Sequence, residues 1–331
     1  KFKDDKKIEN LLSSDTPIGI AKSLGLGIIS FAEAFNELQP DMLLLLGDRF
    51  EILGAAQAAM INRIPIAHCH GGEATEGLID EPIRHSITKM SQLHFTSTRE
   101  YKRRVIQLGE TPKNVYNIGA LGIENINKLE LLSKDELEES INFEINHRTI
   151  LITFHPVTLE NATSENQFKQ LLDALDQFED AKFIFTKPNS DTDGRIIINL
   201  IDEYVKSNPE KACSFVSLGQ LRYLSALKYV VASVGNSSSG LLEAPSFGIS
   251  TLNIGDRQKG RIQAKSVISC EATFDSIHKA LITIFSEEQI NKAKQTKNPY
   301  GTENPSSEIV KKIKNIPLNN LIKKSFYDIS F

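Results

Sequence analysis

Tyr229-Val230-Val231-Ala232-Ser233-Val234-Gly235-Asn236-Ser237-Ser238-Ser239-Gly240-Leu241-Leu242-Glu243 passes from an apolar run through a small-residue turn into a second apolar segment. Tyr229–Ala232 reads as a buried strand, Gly235–Gly240 as a tight turn, and Leu241, Leu242 and Glu243 as the opening of a helix. Strand, turn and helix in this order form the repeating unit of a parallel α/β sheet. Small side chains let the backbone approach a ligand closely. N–H groups at a helix start attract an anion, and Ser237 and Ser238 add hydroxyl donors. A serine-capped turn without a ligand is the plain alternative.

Working outward, further short apolar runs read as parallel strands: Met42–Leu46, Pro65–Ala67, Leu93–Thr96, Thr149–Phe154, Lys182–Thr186 and Ser250–Ile254. Helical periodicity lies between them. Phe168, Leu171, Leu172, Leu175 and Phe178 predict a helix over 165–178, and Ile28, Phe31, Ala32, Phe35 and Leu38 mark another that Pro40 ends. Ile123–Arg148, rich in Glu, Lys and Asn, reads as a surface helix and linker between two sheets. A last helix follows Pro305-Ser306-Ser307-Glu308, whose hydroxyls are placed to cap it. The expected division is an N-terminal Rossmann-like domain over 1–145, a nucleotide-binding one over 146–305, and a C-terminal helix over 306–331 that packs back on the first.

The bulk numbers fit two soluble domains: 331 residues, 40% hydrophobic and 24% charged. A formal net charge of -4 argues against a nucleic-acid partner. Apolar runs such as Met42–Leu46 are too short to span a bilayer. Cys69, Cys213 and Cys270 are widely spaced and odd in number, so no disulfide framework or zinc pattern is visible and a reducing, cytoplasmic setting is expected. Asn161-Ala162-Thr163 spells a glycosylation sequon that carries little weight without a secretion signal.

Ligands of open parallel sheets bind at the C-terminal strand ends, and here those ends are polar. Asp48 and Arg49 follow Met42–Leu46; a carboxylate there is paired or functional. His68-Cys69-His70-Gly71-Gly72-Glu73 follows the next strand, with both histidine rings expected along one face. It lacks a closing third histidine, so a metal site is not expected. Asp80 and Glu81 precede Pro82 at a helix start, with Arg84 and His85 one turn later on the same face. His155, Lys187-Pro188-Asn189 and the loop Gly255–Arg261, with Arg257, Lys259 and Arg261, end strands of the second half. Arginine suits bidentate phosphate contacts. One half therefore offers acids and histidines, the other phosphate donors, as a substrate with a sugar at one end and a diphosphate at the other requires.

These segments occur in one order: Leu46–Glu51, His70–Glu73, Ile79–Glu81 with Ile83–Met90, His155–Thr158, Gly235–Gly240, Asn253–Gln258 and Asn298–Gly301. Together they resemble the hydrolysing UDP-N-acetylglucosamine 2-epimerases of sialic-acid-type sugar synthesis, over nearly the whole chain. The resemblance implies an α/β fold of two Rossmann-like domains with parallel sheets, similar to GT-B glycosyltransferases, with the active site in the interdomain cleft. It also implies a homodimer or homotetramer. The implied reaction converts UDP-N-acetylglucosamine and water to N-acetylmannosamine and UDP, by elimination to a glycal and then hydration, and requires no metal or redox cofactor.

By the same resemblance Asp48 and Asp80 fall on catalytic acidic positions. Removal of the weakly acidic C2 proton requires a positioned base, for which Asp80 is the candidate with Glu81 and His70 as alternates; Asp48 then serves the second proton transfer or the water, and Glu73 stands near His70. His155, Ser237, Ser238, Gly240 and Arg257 fall on nucleotide-sugar positions, with Arg49, Arg84 and His85 as further substrate contacts. Glu243 falls where the uridine ribose is held. Two departures stand out. His70 occupies a position where the family has a glutamate, which implies a related sugar such as a 2,4-diacetamido-trideoxyhexose, or a substitute role for His70. The chain also opens at what resembles an internal Asp-Asp segment, Asp4-Asp5, so a first strand-and-helix portion is expected to precede it. A non-hydrolysing epimerase, a GT-B glycosyltransferase and a silent UDP-sugar sensor are the rival readings.

Overall fold

The structure is a computed structural model and describes residues 4–9, 16–76, 79–156, 164–188, 192–301 and 304–330. The sequon, Val157-Thr158 and Asn189 lie outside the described residues. The chain divides into two compact units, one of 1–74, 79–121 and 302–331, the other of 75–78 and 122–301. The division thus falls at Leu121, earlier than residue 145: the segment expected to link the sheets packs with the second unit.

The first unit runs α1 (Pro17–Leu38), β1 (Leu43–Leu46), α2 (Phe50–Ile61), β2 (Ile66–Cys69), α3 (Asp80–Met90), β3 (Leu93–Thr96), α4 (Arg99–Gln107) and β4 (Val115–Asn117). Its sheet is parallel throughout, in the order β1-β2-β3-β4. α1 begins well before Ile28: Thr16 caps it by accepting from Gly19 N at 3.1 Å, and Pro17 takes its first position. By length and composition alone α1 is long and apolar enough to cross a membrane, a test that the core helix of a soluble protein also passes. It packs against α2, where a Cβ on Gly54 would lie 3.6 Å from the Ile28 backbone nitrogen, so small residues let the two helices close up. β1 is an edge strand rather than a buried one: Leu45 is buried but Leu44 and Leu46 are half exposed.

The second unit runs α5 (Leu121–Lys128), α6 (Lys134–Ile141), β5 (Ile150–Thr153), α7 (Ser164–Leu175), β6 (Phe183–Thr186), α8 (Thr192–Ser207), β7 (Ala212–Phe215), α9 (Gly219–Tyr229), β8 (Ala232–Gly235), α10 (Ser238–Leu242), β9 (Ser250–Ile254), β10 (Val267–Cys270), α11 (Phe274–Ile284) and α12 (Glu287–Lys294). Its six parallel strands lie in the order β10-β9-β8-β5-β6-β7. This is the doubly wound order, and it reverses direction between β5 and β8. One face of the sheet buries Phe168, Leu171, Ile197, Ile277 and Leu281, and the other Leu137, Leu224 and Leu227. The strand expected at Tyr229–Ala232 lies three residues later, because Tyr229 still belongs to α9.

α13 (Pro305–Asn315) belongs to the first unit, where Ile309 and Ile313 join the cluster of Ala67, Cys69, Leu93 and Phe95. Asn304 is its cap residue and Pro305 its first position, so Ser306 and Ser307 lie inside the helix. The following tail returns over α3 and α4. Lys324 Nζ reaches Glu110 Oε1 and Oε2 at 2.9 Å and Ser91 O at 2.7 Å, and Tyr327 N donates to Gly109 O at 2.9 Å.

Candidate active site

In the first unit the polar residues gather on one buried cation. Arg84 lies on α3 with only 1% of its surface exposed. Its Nε donates to Asp48 Oδ2 at 2.7 Å and its Nη2 reaches the same oxygen. Its Nη1 donates to Glu81 Oε2 at 2.6 Å and to the Glu73 carbonyl at 2.9 Å. One guanidinium thus ties together the ends of β1, β2 and the start of α3. The planar fork of arginine can do this and a lysine cannot. Asp48 therefore pairs with Arg84, thirty-six residues away, and not with Arg49, which forms an exposed pair with Glu51. Asp48 Oδ1 has no protein partner among the described residues.

Asp80 opens α3. Burial first, and then the neighbouring Asp48 charge, raise its pKa above the ordinary aspartate value. Glu81 also accepts from His85 Nε2 at 3.2 Å, so the acids and bases of this turn do share a face. His85 Nδ1 is buried without a hydrogen-bond partner among the described residues.

The two histidines of the His68–Glu73 segment part company, contrary to the expectation of a common face. His68, on β2, is wholly buried and held near a pKa of 3 by burial, so it is neutral. With its proton on Nε2 it donates to Gly47 O at 2.9 Å and pins the turn that carries Asp48. His70 has left the strand, at φ 67°. Its Nε2 accepts from Leu121 N at 3.3 Å, which fixes the proton on Nδ1, and that nitrogen donates to Glu73 Oε1 at 2.8 Å. Both ring nitrogens are engaged within the protein. Glu73 is itself buried and also accepts from Ser97 Oγ at 2.7 Å. His70 and Glu73 thus brace the loop, while the Asp48 and Glu81 side chains are partly exposed and Asp80 is half-buried. No group of three or more His, Cys, Asp or Glu among the described residues is arranged to hold a metal ion.

In the second unit the polar residues meet at the switch point. Gly235 ends β8 at φ 131°, and a Cβ there would sit 2.0 Å from Thr153 O of β5. Only glycine lets the two strands approach this closely. Asn236 then reaches across to β5: its Oδ1 accepts from His155 N at 2.7 Å and its Nδ2 donates to His155 O at 2.8 Å. Arg257 Nη1 and Gln258 Nε2 both donate to Asn236 O, at 3.1 and 2.8 Å. These bonds join the serine turn, His155 and the basic loop into one frame. Burial, and then the charge of Arg257, lower the His155 pKa to about 4, so its imidazole is neutral near pH 7.

Ser237 caps α10, but α10 has only five residues, so this site draws on local N–H groups rather than on a long helix dipole. Gly240 is buried: its carbonyl accepts from Thr251 Oγ1 at 2.5 Å, and a Cβ would meet Thr251 Cγ2. It allows the turn to pack on β9.

Beside this frame lies a cavity of about 380 Å³ whose lining includes Thr153, His155, Ser217, Gln220, Tyr223 and Glu243. Tyr223 donates to Ser239 Oγ at 2.7 Å and Ser239 to Glu243. Burial raises the Glu243 pKa. Tyr223 lies outside every segment that the sequence singled out, and Ser239 stood only as a member of the serine turn. Their only signal was Ser239 and Glu243 standing four apart at a helix start.

Comparison with known proteins places this geometry. A family model described as UDP-N-acetylglucosamine 2-epimerase matches residues 1–314. The chain is 41% identical over 99% of its length, and 85% of the relative's, to a protein of Campylobacter jejuni named GDP/UDP-N,N'-diacetylbacillosamine 2-epimerase (hydrolyzing). It is 40% identical to polysialic acid biosynthesis protein P7 of Escherichia coli, over 98% of this chain and 83% of that one. It is 34% identical to the UDP-N,N'-diacetylbacillosamine 2-epimerase (hydrolyzing) of Legionella pneumophila, over 92% and 78%. Among solved structures, the UDP-GlcNAc 2-epimerase of Neisseria meningitidis bound to UDP-GlcNAc superposes with a TM-score of 0.80 at 20% identity, covering 93% of this chain and 84% of that one. That likeness establishes the two-sheet, GT-B-like fold. From the extent of the family match and the identity to three relatives held along nearly the full length of this chain, the chain belongs to the UDP-N-acetylglucosamine 2-epimerase family.

Proposed function

We propose that this protein is a hydrolysing 2-epimerase for a UDP-linked 2,4-diacetamido-trideoxyhexose of the diacetylbacillosamine type. The observation that carries the substrate is the shared name of the Campylobacter and Legionella relatives. It reverses the order expected from sequence, which put UDP-N-acetylglucosamine first. The E. coli relative, named for polysialic acid biosynthesis, favours UDP-N-acetylglucosamine as the second reading, with N-acetylmannosamine as product.

The nucleotide is assigned to the second unit. The nucleoside fits the cavity of about 380 Å³ with Glu243 at the ribose hydroxyls. Ser237, Ser238 and Arg257 meet the diphosphate, and His155, neutral and without a side-chain partner among the described residues, offers it a hydrogen bond. Positioned donors on a leaving group contribute about 2.7–4 kcal/mol each.

The sugar is assigned to the acids of the first unit, whose environments divide their roles. Asp48, charge-paired through Oδ2, takes the role expected from sequence for Asp80: it removes the C2 proton with Oδ1 as the C1–O bond to UDP breaks, which leaves a C1–C2 double bond. Asp80, whose raised pKa keeps it protonated to higher pH, then delivers its proton to the opposite face of C2. Water adds its oxygen to C1 and returns a proton to Asp80, and Asp48 releases its own to solvent. Arg84 holds Asp48 in place, and Glu73 and His70 brace the loop beside it.

Mass spectrometry and NMR of products made in deuterium oxide from UDP-diacetylbacillosamine and UDP-N-acetylglucosamine test the reading. The expected result is free 2-epimerised sugar, UDP and one deuterium at C2, faster with the first substrate. Asp80→Asn should accumulate glycal and UDP, and Asp48→Asn should release neither. An intact epimerised sugar nucleotide, or product without deuterium, refutes the proposal.

A further inference from the structure

A second concave site lies in the first unit, and none of its residues belongs to the acidic cluster. It is a cavity of about 620 Å³ lined by Arg99, Lys102 and Arg103 of α4, by Tyr116 and Asn117 at the end of β4, and by Lys312 of α13. Ile106 and the buried Ile118 form its apolar part, and Glu308 is the one acid on its wall. Four cations against one carboxylate give the lining a formal charge of +3.

A basic stretch such as Arg99-Glu100-Tyr101-Lys102-Arg103-Arg104 ordinarily serves as the solvated face of a helix. Three observations set this one apart. First, Arg104, the remaining cation of the stretch, is used structurally: its Nη1 donates to Gly72 O at 2.7 Å. By contrast, none of Arg99, Lys102, Arg103 and Lys312 forms an ion pair among the described residues. Glu308 lies 4.0 Å from Lys311, not from the cavity's cations. Second, the fourth cation arrives from another element, after a long excursion of the chain. Lys312 Nζ is held 4.8 Å from the centre of the Tyr116 ring, and that ring stacks on Phe95 of the core. Third, the surface is concave, and concave walls of low dielectric focus the field of the charges that line them.

Like charges gathered without counter-ions repel one another, and the arrangement is relieved by an anion with several charged oxygens. Two guanidinium forks suit the bidentate geometry of phosphate, and two ammonium groups add point charges. The volume lies within the usual range for small-molecule sites. We propose that this cavity binds a small anion bearing two or more phosphate groups, at a site separate from the one that carries the chemistry. The proposal does not depend on the substrate assigned above.

Calorimetric titration of the full chain with inorganic tripolyphosphate at low salt tests it. Arg103→Glu combined with Lys312→Glu should weaken binding at this site by about tenfold or more. Arg257→Ala, in the other unit, should leave it unchanged. Circular dichroism verifies the fold, and Arg99→Gln with Lys102→Gln carries the same expectation should the first pair fail to fold. ADP separates the two sources of such an anion. Displacement of tripolyphosphate by ADP at equal concentration marks a reader of phosphate alone, and a tenfold preference for ADP marks a nucleotide site. Unchanged affinity in both folded double variants, or loss of binding only in Arg257→Ala, overturns the proposal.

Discussion

Arg84 is the residue on which the first unit's site depends most, and its removal has a calculable effect. Arg84→Met preserves much of the volume but deletes, among the described residues, two hydrogen bonds to Asp48, one to Glu81 and one to the Glu73 carbonyl. Two neighbouring carboxylates lose their shared cation. Stripping one partner from a buried ion pair costs about 3–5 kcal/mol. The side chains of Asp48 and Glu81 are 24% and 25% exposed, so water recovers part of this loss and the lower end, about 3 kcal/mol, is expected. For a unit of this size that is a fall in Tm of about 6–12 °C. Thermal and urea unfolding followed by near-ultraviolet circular dichroism measures it. Asp48→Asn in the same background removes one of the two stranded charges, so the double variant should be more stable than the sum of the single costs by about 1–3 kcal/mol. A loss below about 1 kcal/mol in Arg84→Met, or strictly additive costs, would show that the guanidinium does not organise these acids.

Two further outcomes follow from single residues. His68 is neutral in the fold, with a pKa near 3 against an ordinary 6.5; the unfolded chain therefore binds its proton first, and the stability due to this residue is complete above pH 6.5 and lost as pH falls toward 3. Between pH 7 and pH 5 the loss is about 2 kcal/mol, and His68→Gln, which keeps a donor for Gly47, should flatten the pH dependence of urea unfolding by that amount; an unaltered slope refutes it. Gly235→Ala places a Cβ 2.0 Å from Thr153 O at φ 131°, whereas Gly255→Ala at φ 71° meets nothing within 4 Å. The first should cost more than about 3 kcal/mol and abolish UDP binding, and the second about 1 kcal/mol of backbone strain; equal urea midpoints would contradict the close approach of β5 and β8.

What could be read from the sequence follows from where each strand lies. β2, β3, β5, β6 and β9 are buried on both faces and so appear as unbroken apolar runs. β4, β7 and β10 escaped because they are sheet edges with short or mixed faces, as in Val115-Tyr116-Asn117 and Val267–Cys270. The displaced start of β8 has a different cause: Tyr229 and Val230 are as apolar as a strand but finish α9 against its buried side. At the site, strand ends revealed Asp48, His155 and the serine turn because chain position alone marks them. The Asp48–Arg84 pair, the Asn236 clasp on His155 and the Tyr223–Ser239–Glu243 chain were hidden, since each depends on side chains brought together by the fold rather than by spacing. His70 shows the limit most clearly. Its place beside Glu73 was legible, but the left-handed backbone that turns it away from His68 was not.

The return of α13 and the Lys324 tail to the first unit also orders events during synthesis. The second unit is nearly continuous, 122–301, and can complete its core as soon as α12 has emerged. The first unit holds Ala67, Cys69, Leu93 and Phe95 waiting for Ile309 and Ile313, and Glu110 waiting for Lys324. At ordinary translation rates the intervening chain takes about 10–40 s to make. Throughout that interval the first unit has an unclosed apolar surface, and the second unit can complete its core before the first one closes. The early-made part of this protein is therefore the late-folding part, and it is the part a chaperone has most reason to hold.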